Sequence, residues 1–366
     1  MFIKLIRNKR GKLLLLSVII AASVIFTIFS DSTTHFASDA LRLCAVSVIP
    51  SLFPFMVLSS IASKLASSVS DTDSKKISVF LSVVLGTLCG FPVGAATVAS
   101  AYKNNALCKS EAEELCALCN NTGPAFVIGI IGGTFWRNYN IGIMFYVCQI
   151  ISAVIVHISC KLIFGKKINP KPQTLCISRK DNKHSPHTSS PSNVFADFSG
   201  KFCSSVGESA INVIQICGYI VFFKVVCDML KLIIPQSKWS LLIYSITASI
   251  LEFTTGSASA AELGGTLGIA LCGFTVGFSG LSVMAQSANI LTKAGLSSGS
   301  LFKRKIAVGL VCSTLCSITY RLLPEVSSTV ITSVCYDVSE IRYISSVIVL
   351  CSMIFYIIRL LRHPLR

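Results

Sequence analysis

Cys89-Gly90-Phe91-Pro92-Val93-Gly94-Ala95 and Cys119-Asn120-Asn121-Thr122-Gly123-Pro124 cut the apolar first half of the chain twice. Phe253-Thr254-Thr255-Gly256-Ser257 and Gly277-Phe278-Ser279-Gly280 cut the second half in the same order. Lipid cannot solvate free backbone N–H and C=O groups. A bilayer therefore tolerates irregular backbone only where protein or a water-filled cavity surrounds it. Two corresponding interrupted segments point to a transporter built from repeats, with its binding site at the breaks.

Composition sets the class. The 366 residues are 52% hydrophobic and 13% charged, with mean hydropathy +0.72. A soluble domain carries about 25% charged residues, so this is an integral membrane protein. The net charge of +16 follows the positive-inside pattern rather than a nucleic-acid footprint. All but seven of the 32 Lys and Arg fall on one side of the expected topology, the exceptions being Arg42, Arg137, Lys224, Lys231, Lys238, Arg321 and Arg342. Most of the 16 cysteines lie in apolar runs, where a thiol acts as a small hydrophobe. Cys116 and Cys119 form a C-x-x-C without the second ligand pair a zinc site needs. No hydrolase, metalloprotease or nucleotide-loop motif is present. The sequence thus points to no enzyme, no cofactor and no metal.

A spanning helix needs about 20 apolar residues. Residues 1–39 hold a basic head, a first span at 13–30 and an outer loop at 31–39. Residues 40–164 form a first repeat. Its returning span should be kinked by Pro50 and Pro54. A re-entrant hairpin follows with its tip at Gly90–Gly94, then a helix capped by Ser110 and Glu113, and the span broken at Asn120–Pro124. Residues 165–205 read as a flexible, basic cytoplasmic connector. Residues 206–323 form a second, inverted repeat, and 324–366 an outer loop and a last span. The fold class is all-α: about eight transmembrane helices plus two oppositely facing re-entrant hairpins in two inverted repeats. The stretch 48–55 before the first hairpin faintly matches 213–220 before the second.

A half-helix N-terminus directs a positive dipole end and free N–H groups into the gap. Gly90, Pro92, Gly94, Asn120, Asn121, Thr122 and Gly123 form the candidate site in the first half. Thr254, Thr255, Ser257, Ser279 and Gln286 form it in the second. Glu252 is the deepest acidic residue and the candidate for coupling or solute contact. Lys224 and Asp228, four residues apart, should pair.

Pro50-Ser51-Leu52-Phe53-Pro54-Phe55, the two first-half motifs, Leu251-Glu252-Phe253-Thr254-Thr255-Gly256 and Gly277-Phe278-Ser279-Gly280-Leu281-Ser282-Val283 occur in that order. In this order they resemble the sporulation integral membrane protein YlbJ family, which contains nucleoside-recognition (GATE) domains. The resemblance covers residues 41–323. It implies a spore-forming Firmicute and a mother-cell protein at the outer forespore membrane that moves dipicolinate toward the forespore. GATE repeats look like the core of concentrative nucleoside transporters. The acidic nucleoside-binding motifs of those transporters have no convincing counterpart here, which turns the expectation from nucleoside to a small organic anion. Proton or sodium coupling and oligomerisation stay open. A nucleoside carrier of the same architecture and a non-transporting scaffold for spore assembly are the alternatives.

The topology is testable. Cysteines introduced at Ser190 and Ser328 should label from opposite faces of the membrane, Ser190 from the cytoplasm. Labelling of both from one face would rule the arrangement out.

Overall fold

The computed structural model describes residues 9–66, 71–103, 105–164, 191–234 and 239–322, and the following concerns these. Ser190, Ser328 and the expected last span lie outside them. Every regular element among them is helical. In chain order they are α1 (Lys9–Ile28), α2 (Ser30–Leu43), a π-helical turn π1 (Cys44–Val48) and α3 (Ile49–Ala66). Next come α4 (Asp71–Leu88), α5 (Val93–Lys103), α6 (Lys109–Cys119), a second π segment π2 (Ala125–Phe135) and α7 (Tyr139–Phe164). The rest are α8 (Pro191–Ile233), α9 (Ser240–Leu251), α10 (Phe253–Leu263), α11 (Gly265–Phe278), α12 (Gly280–Lys293) and α13 (Gly299–Leu322).

Three helical stretches are long and apolar enough to cross a membrane: Tyr139–Ile163, Asp197–Leu232 and Gly265–Lys293. A fourth arises if Lys12–Ile28 and Ser30–Val48, bent by 94°, count together. Outward-facing Leu13, Leu14, Ile19, Ile28, Leu162 and Leu310 are all more than half exposed. Apolar side chains of that kind lower the free energy of the chain in lipid and raise it in water.

Several local expectations change. Residues 31–39 are not a loop but part of α2, which runs through π1 into α3. Pro50 lies in the first turn of α3 and Pro54 inside the helix. Proline lacks the N–H that the i−4 carbonyl needs, and the π turn just before Pro50 is where a helix absorbs such a misfit. Residues 191–205, expected as connector, already belong to α8. The cap of α6 also shifts: Cys108, not Ser110, is the N-cap, and its N–H donates to Glu111 Oε2 at 3.1 Å. Burial raises the Glu111 carboxyl, but the Lys75 ammonium at 2.6 Å and the Cys108 N–H outweigh it and hold the group below its usual range. Glu113 instead accepts the Ser297 N–H at 2.8 Å, and Glu114 lies 3.6 Å from Arg304. The three carboxylates thus tie the α6 start to three different neighbours. Lys224 and Asp228 do pair, at 2.7 Å, and Tyr244 donates to the second Asp228 oxygen at 3.1 Å.

Packing brings the interrupted segments together. α4 lies against α5, and α9 against α10, so each interrupted segment is a helical hairpin. α5 packs on α12 and α10 on π2, so a half of each hairpin meets the broken stretch from the other end of the chain. One apolar cluster joins α5, α6, α12 and α13 through Val98, Leu115, Met284, Leu291 and Leu301. Another joins π1, α3, α5 and α8 through Val48, Met56, Val93, Val213 and Ile216. α11 and α13 approach closely at Gly277, whose added Cβ would sit 2.8 Å from Gly309 Cα. Without a hydrophobic drive in lipid, such small-residue contacts carry helix association.

Gly94 makes the sharpest test of this packing. A Cβ there would fall on the Cys119 carbonyl oxygen. Gly94→Ala should cost about 1–3 kcal/mol of stability, as overpacking does. Gly218→Ala, on an open face of α8, should stabilise by about 0.5–1 kcal/mol. Thermal unfolding in detergent gives both, and equal midpoints for the two variants would contradict the close approach.

Candidate functional site

The first break spans Cys89 to Pro92, between α4 and α5. Gly90 has φ +77°, a left-handed conformation that side chains disfavour, and a Cβ on it would also strike the Gly123 backbone nitrogen. A cis peptide joins Phe91 to Pro92. The second break, Asn120 to Pro124, therefore lies directly on the first. The third is Glu252 alone, an extended residue (φ −139°, ψ 127°) between α9 and α10. The fourth is left-handed Ser279 between α11 and α12, followed by Gly280 at φ +73°. A Cβ on Gly280 would stand 3.0 Å from the Phe253 nitrogen, so the third and fourth breaks also touch.

Phe253 links the two pairs. Its ring meets Phe91 edge-on at 5.4 Å between centroids and Phe126 at 5.1 Å. Asn120 Nδ2 donates to Ser287 Oγ on α12 at 2.8 Å, a second tie across the halves. The first three breaks thus line one cavity of about 40 Å³, with Phe91, Thr122, Phe126, Glu252, Phe253 and Gln286 among its residues, while the fourth stands against the Phe253 backbone. A water needs roughly 10–15 Å³ of such space, so the cavity has room for a few waters and for nothing larger in this conformation.

Thr254, Thr255 and Ser257 are not the break. They form the first turns of α10, because Glu252 caps that helix. Its Oε1 accepts the Thr254 N–H at 2.9 Å and its Oε2 the Thr255 N–H at 2.6 Å. Glu252 is 1% exposed, so it is not a carboxylate at the protein's outer surface. It satisfies orphan donors and sets its two oxygens against the dipole end of α10. The chain's own carboxylate thus stands where an anionic solute was expected at this helix end.

The other helix starts differ. Neither Pro124 before π2 nor Ser279 before α12 makes a side-chain cap. Buried polar atoms without a partner gather here: Asn120 Oδ1, Thr122 Oγ1, Thr255 Oγ1, Ser279 Oγ, Ser282 Oγ and Gln286 Oε1. Most buried polar atoms in proteins are bonded, so this concentration marks groups available to a solute or to water. Of the expected site residues, Thr122, Gly123, Thr254 and Gln286 line the central cavity, together with Glu252. Gly90 and Gly94 provide close backbone approach, and Pro92 lines an adjoining space. Ser257 donates to the Phe253 carbonyl within its own helix at 2.8 Å.

Asn121 points away from the cavity lining. Its Nδ2 donates to the Leu118 carbonyl at 2.6 Å, and its Oδ1 accepts from Lys305 Nζ at 3.3 Å. Lys305, one of the Lys and Arg set on the inner side of the expected topology, is not a solvated loop charge. It is fully buried on the inner face of α13. The signal lay in spacing: Leu301, Lys305, Val308, Cys312 and Cys316 fall three or four apart on one buried stripe.

Glu252→Gln isolates the cap. An amide offers one acceptor oxygen to two N–H groups and turns an NH₂ toward the other. The variant should lose about 1–3 kcal/mol, the cost of stranding a buried donor. An unchanged unfolding midpoint in detergent would show that the carboxylate does not hold this break.

The sporulation integral membrane protein YlbJ of Bacillus subtilis (strain 168) is 22% identical over 307 residues, covering 75% of this chain and 74% of that protein. No family model matches the chain, and no solved structure matches it. The aligned relative, the apolar spans and the ordered motifs agree: the chain is an integral membrane protein related to YlbJ.

Proposed function

We propose that the chain is a carrier, not an enzyme, which moves a small organic anion across a membrane during spore formation. The observation that carries this is the meeting of four helix breaks beside one cavity, three of them lining it, with unpartnered polar atoms of Thr122 and Gln286 on its lining and of Asn120, Ser279 and Ser282 close by in sequence. A scaffold has no use for that arrangement, since each unbonded buried polar atom costs about 1–3 kcal/mol. The cross-packing of α5 on α12 and of α10 on π2 is what two inverted repeats with re-entrant hairpins would give, and it supports the eight-span reading.

Dipicolinate, a planar aromatic dianion, suits the lining. Phe91, Phe126 and Phe253 offer ring faces and edges. The start of α12, which no side chain caps, leaves N–H groups to a carboxylate, whereas the Phe126 and Val127 N–H groups of π2 already donate to the Gly123 carbonyl. Glu252 does not compete, because its charge is already opposed by two N–H donors. The relative's name, a sporulation integral membrane protein, supports a membrane role in sporulation, and the outer forespore membrane is the location proposed within it. The cavity is smaller than such a ring, so carriage requires the hairpins to part, as alternating access does. The nucleoside reading shares the ring contacts but lacks an acidic group free to hold ribose hydroxyls.

A deletion strain should make dipicolinate in the mother cell and leave its spores poor in it; normal spore content would end the proposal. Thr122→Val is the finer test. The hydroxyl has no protein partner, so the variant should accumulate and unfold like the parent. Spore dipicolinate should fall several-fold, in line with one lost hydrogen bond of about 0.5–1.5 kcal/mol. Full spore content in a stable Thr122→Val strain would remove this hydroxyl from the solute path.

A further inference from the structure

The central cavity does not stand alone. A small space of about 20 Å³ adjoins it and shares Ile216 and Gln286 with it. That space shares Asn212 with a third cavity, of about 140 Å³, between α3, α5 and α8. The lining turns polar along this series. Ser59, Ser60, Thr97, Ser100, Ser209 and Asn212 face the third cavity. On α8, Ser205, Glu208, Ser209, Asn212, Gln215 and Tyr219 recur at three- and four-residue steps, a polar stripe on a helix otherwise apolar enough to span a membrane. Polar groups at such depth are costly unless they face a wet interior.

At the far end stands an ion pair. Lys64 Nζ lies 3.1 Å from Glu208 Oε2, and donates to Ser204 Oγ at 2.8 Å. Just inside it, Ser60 Oγ donates to Ser205 Oγ at 3.1 Å. Both contacts join α3 to α8. The side chains of Lys64 and Glu208 are 26% and 59% exposed, so the pair sits at a mouth. An ion pair open to solvent on one side is weak and opens at little cost.

We propose that the three cavities are one solute path, with Asn212 at its narrow point and the Lys64–Glu208 and Ser60–Ser205 contacts as its gate. The inference rests on the carrier reading of the central site and adds its entrance. A small organic anion fits the chemistry: once the pair opens, Lys64 meets a carboxylate at the mouth, and hydroxyls and the Asn212 amide replace its water along the way. Under the topology expected from sequence, this mouth opens to the cytoplasm.

Two measurements on the full chain in vesicles separate the path from the carrier reading. In the first, an Asn212→Cys variant is treated with a small charged thiol reagent, and modification at that site is read by peptide mass. Rapid modification is expected. A disulfide formed between Ser60→Cys and Ser205→Cys beforehand should slow it by about tenfold or more, since a closed gate holds the path in one state. No modification at Asn212→Cys, or a rate indifferent to the crosslink, would overturn the path. The second measures uptake of radiolabelled dipicolinate. The oxidised double variant should lose the uptake that its own reduced form shows, and regain it on reduction. Parent uptake that persists through a verified crosslink would remove the gate. Parent vesicles that take up none would defeat dipicolinate carriage and leave the labelling result to decide the path.

Discussion

Irregular backbone inside a membrane protein must find its hydrogen-bond partners within the protein, and the architecture follows from how this chain meets that demand. Glu252 is the clearest case. One buried carboxylate receives two N–H groups of α10 and so permits a helix to start where the preceding one has just ended. The first and second breaks meet the same demand differently. Gly90 and Gly94 bring backbone against Gly123 and Cys119, leaving no space for solvent between them.

These two solutions differ in what they leave over. At Glu252 the donors are occupied, so the helix dipole there is already answered. At the starts of π2 and α12 no side chain caps the backbone, and Thr122, Ser279, Ser282 and Gln286 hold polar atoms without partners. The backbone is therefore answered at the start of α10 and unanswered at the start of α12, and Thr122 and Gln286 leave unpartnered atoms on the cavity lining. A carrier needs this imbalance: a site that was fully bonded would gain nothing from a solute, and one fully open would not fold.

Lys305 and Asn121 show how the second break is supported from behind. An ammonium in the interior of α13 is tolerable because the Asn121 carbonyl accepts from it, and Asn121 in turn binds the end of α6 through the Leu118 carbonyl. Asn121 thus acts on the site through backbone position, while its neighbour Asn120 reaches across to Ser287. Two adjacent identical residues carry different loads because the chain turns between them.

The membrane class was legible in the sequence, as were the helical content and three of the four breaks around the site. Hydropathy, together with the φ demands and missing donor of glycine and proline, acts locally and needs no partner to be read. The Lys224–Asp228 pair was legible for the same reason, being one helical turn apart. Tertiary structure decided the rest. That the four breaks meet, that Glu252 caps α10 and so moves the break off Thr254–Ser257, and that Lys305 turns inward all depend on contacts between residues far apart in the chain. A charge, a threonine or a glycine has the same local preferences wherever it stands. Only the packing of α5 on α12 and of α10 on π2 fixes which of them faces a cavity, a carbonyl or lipid.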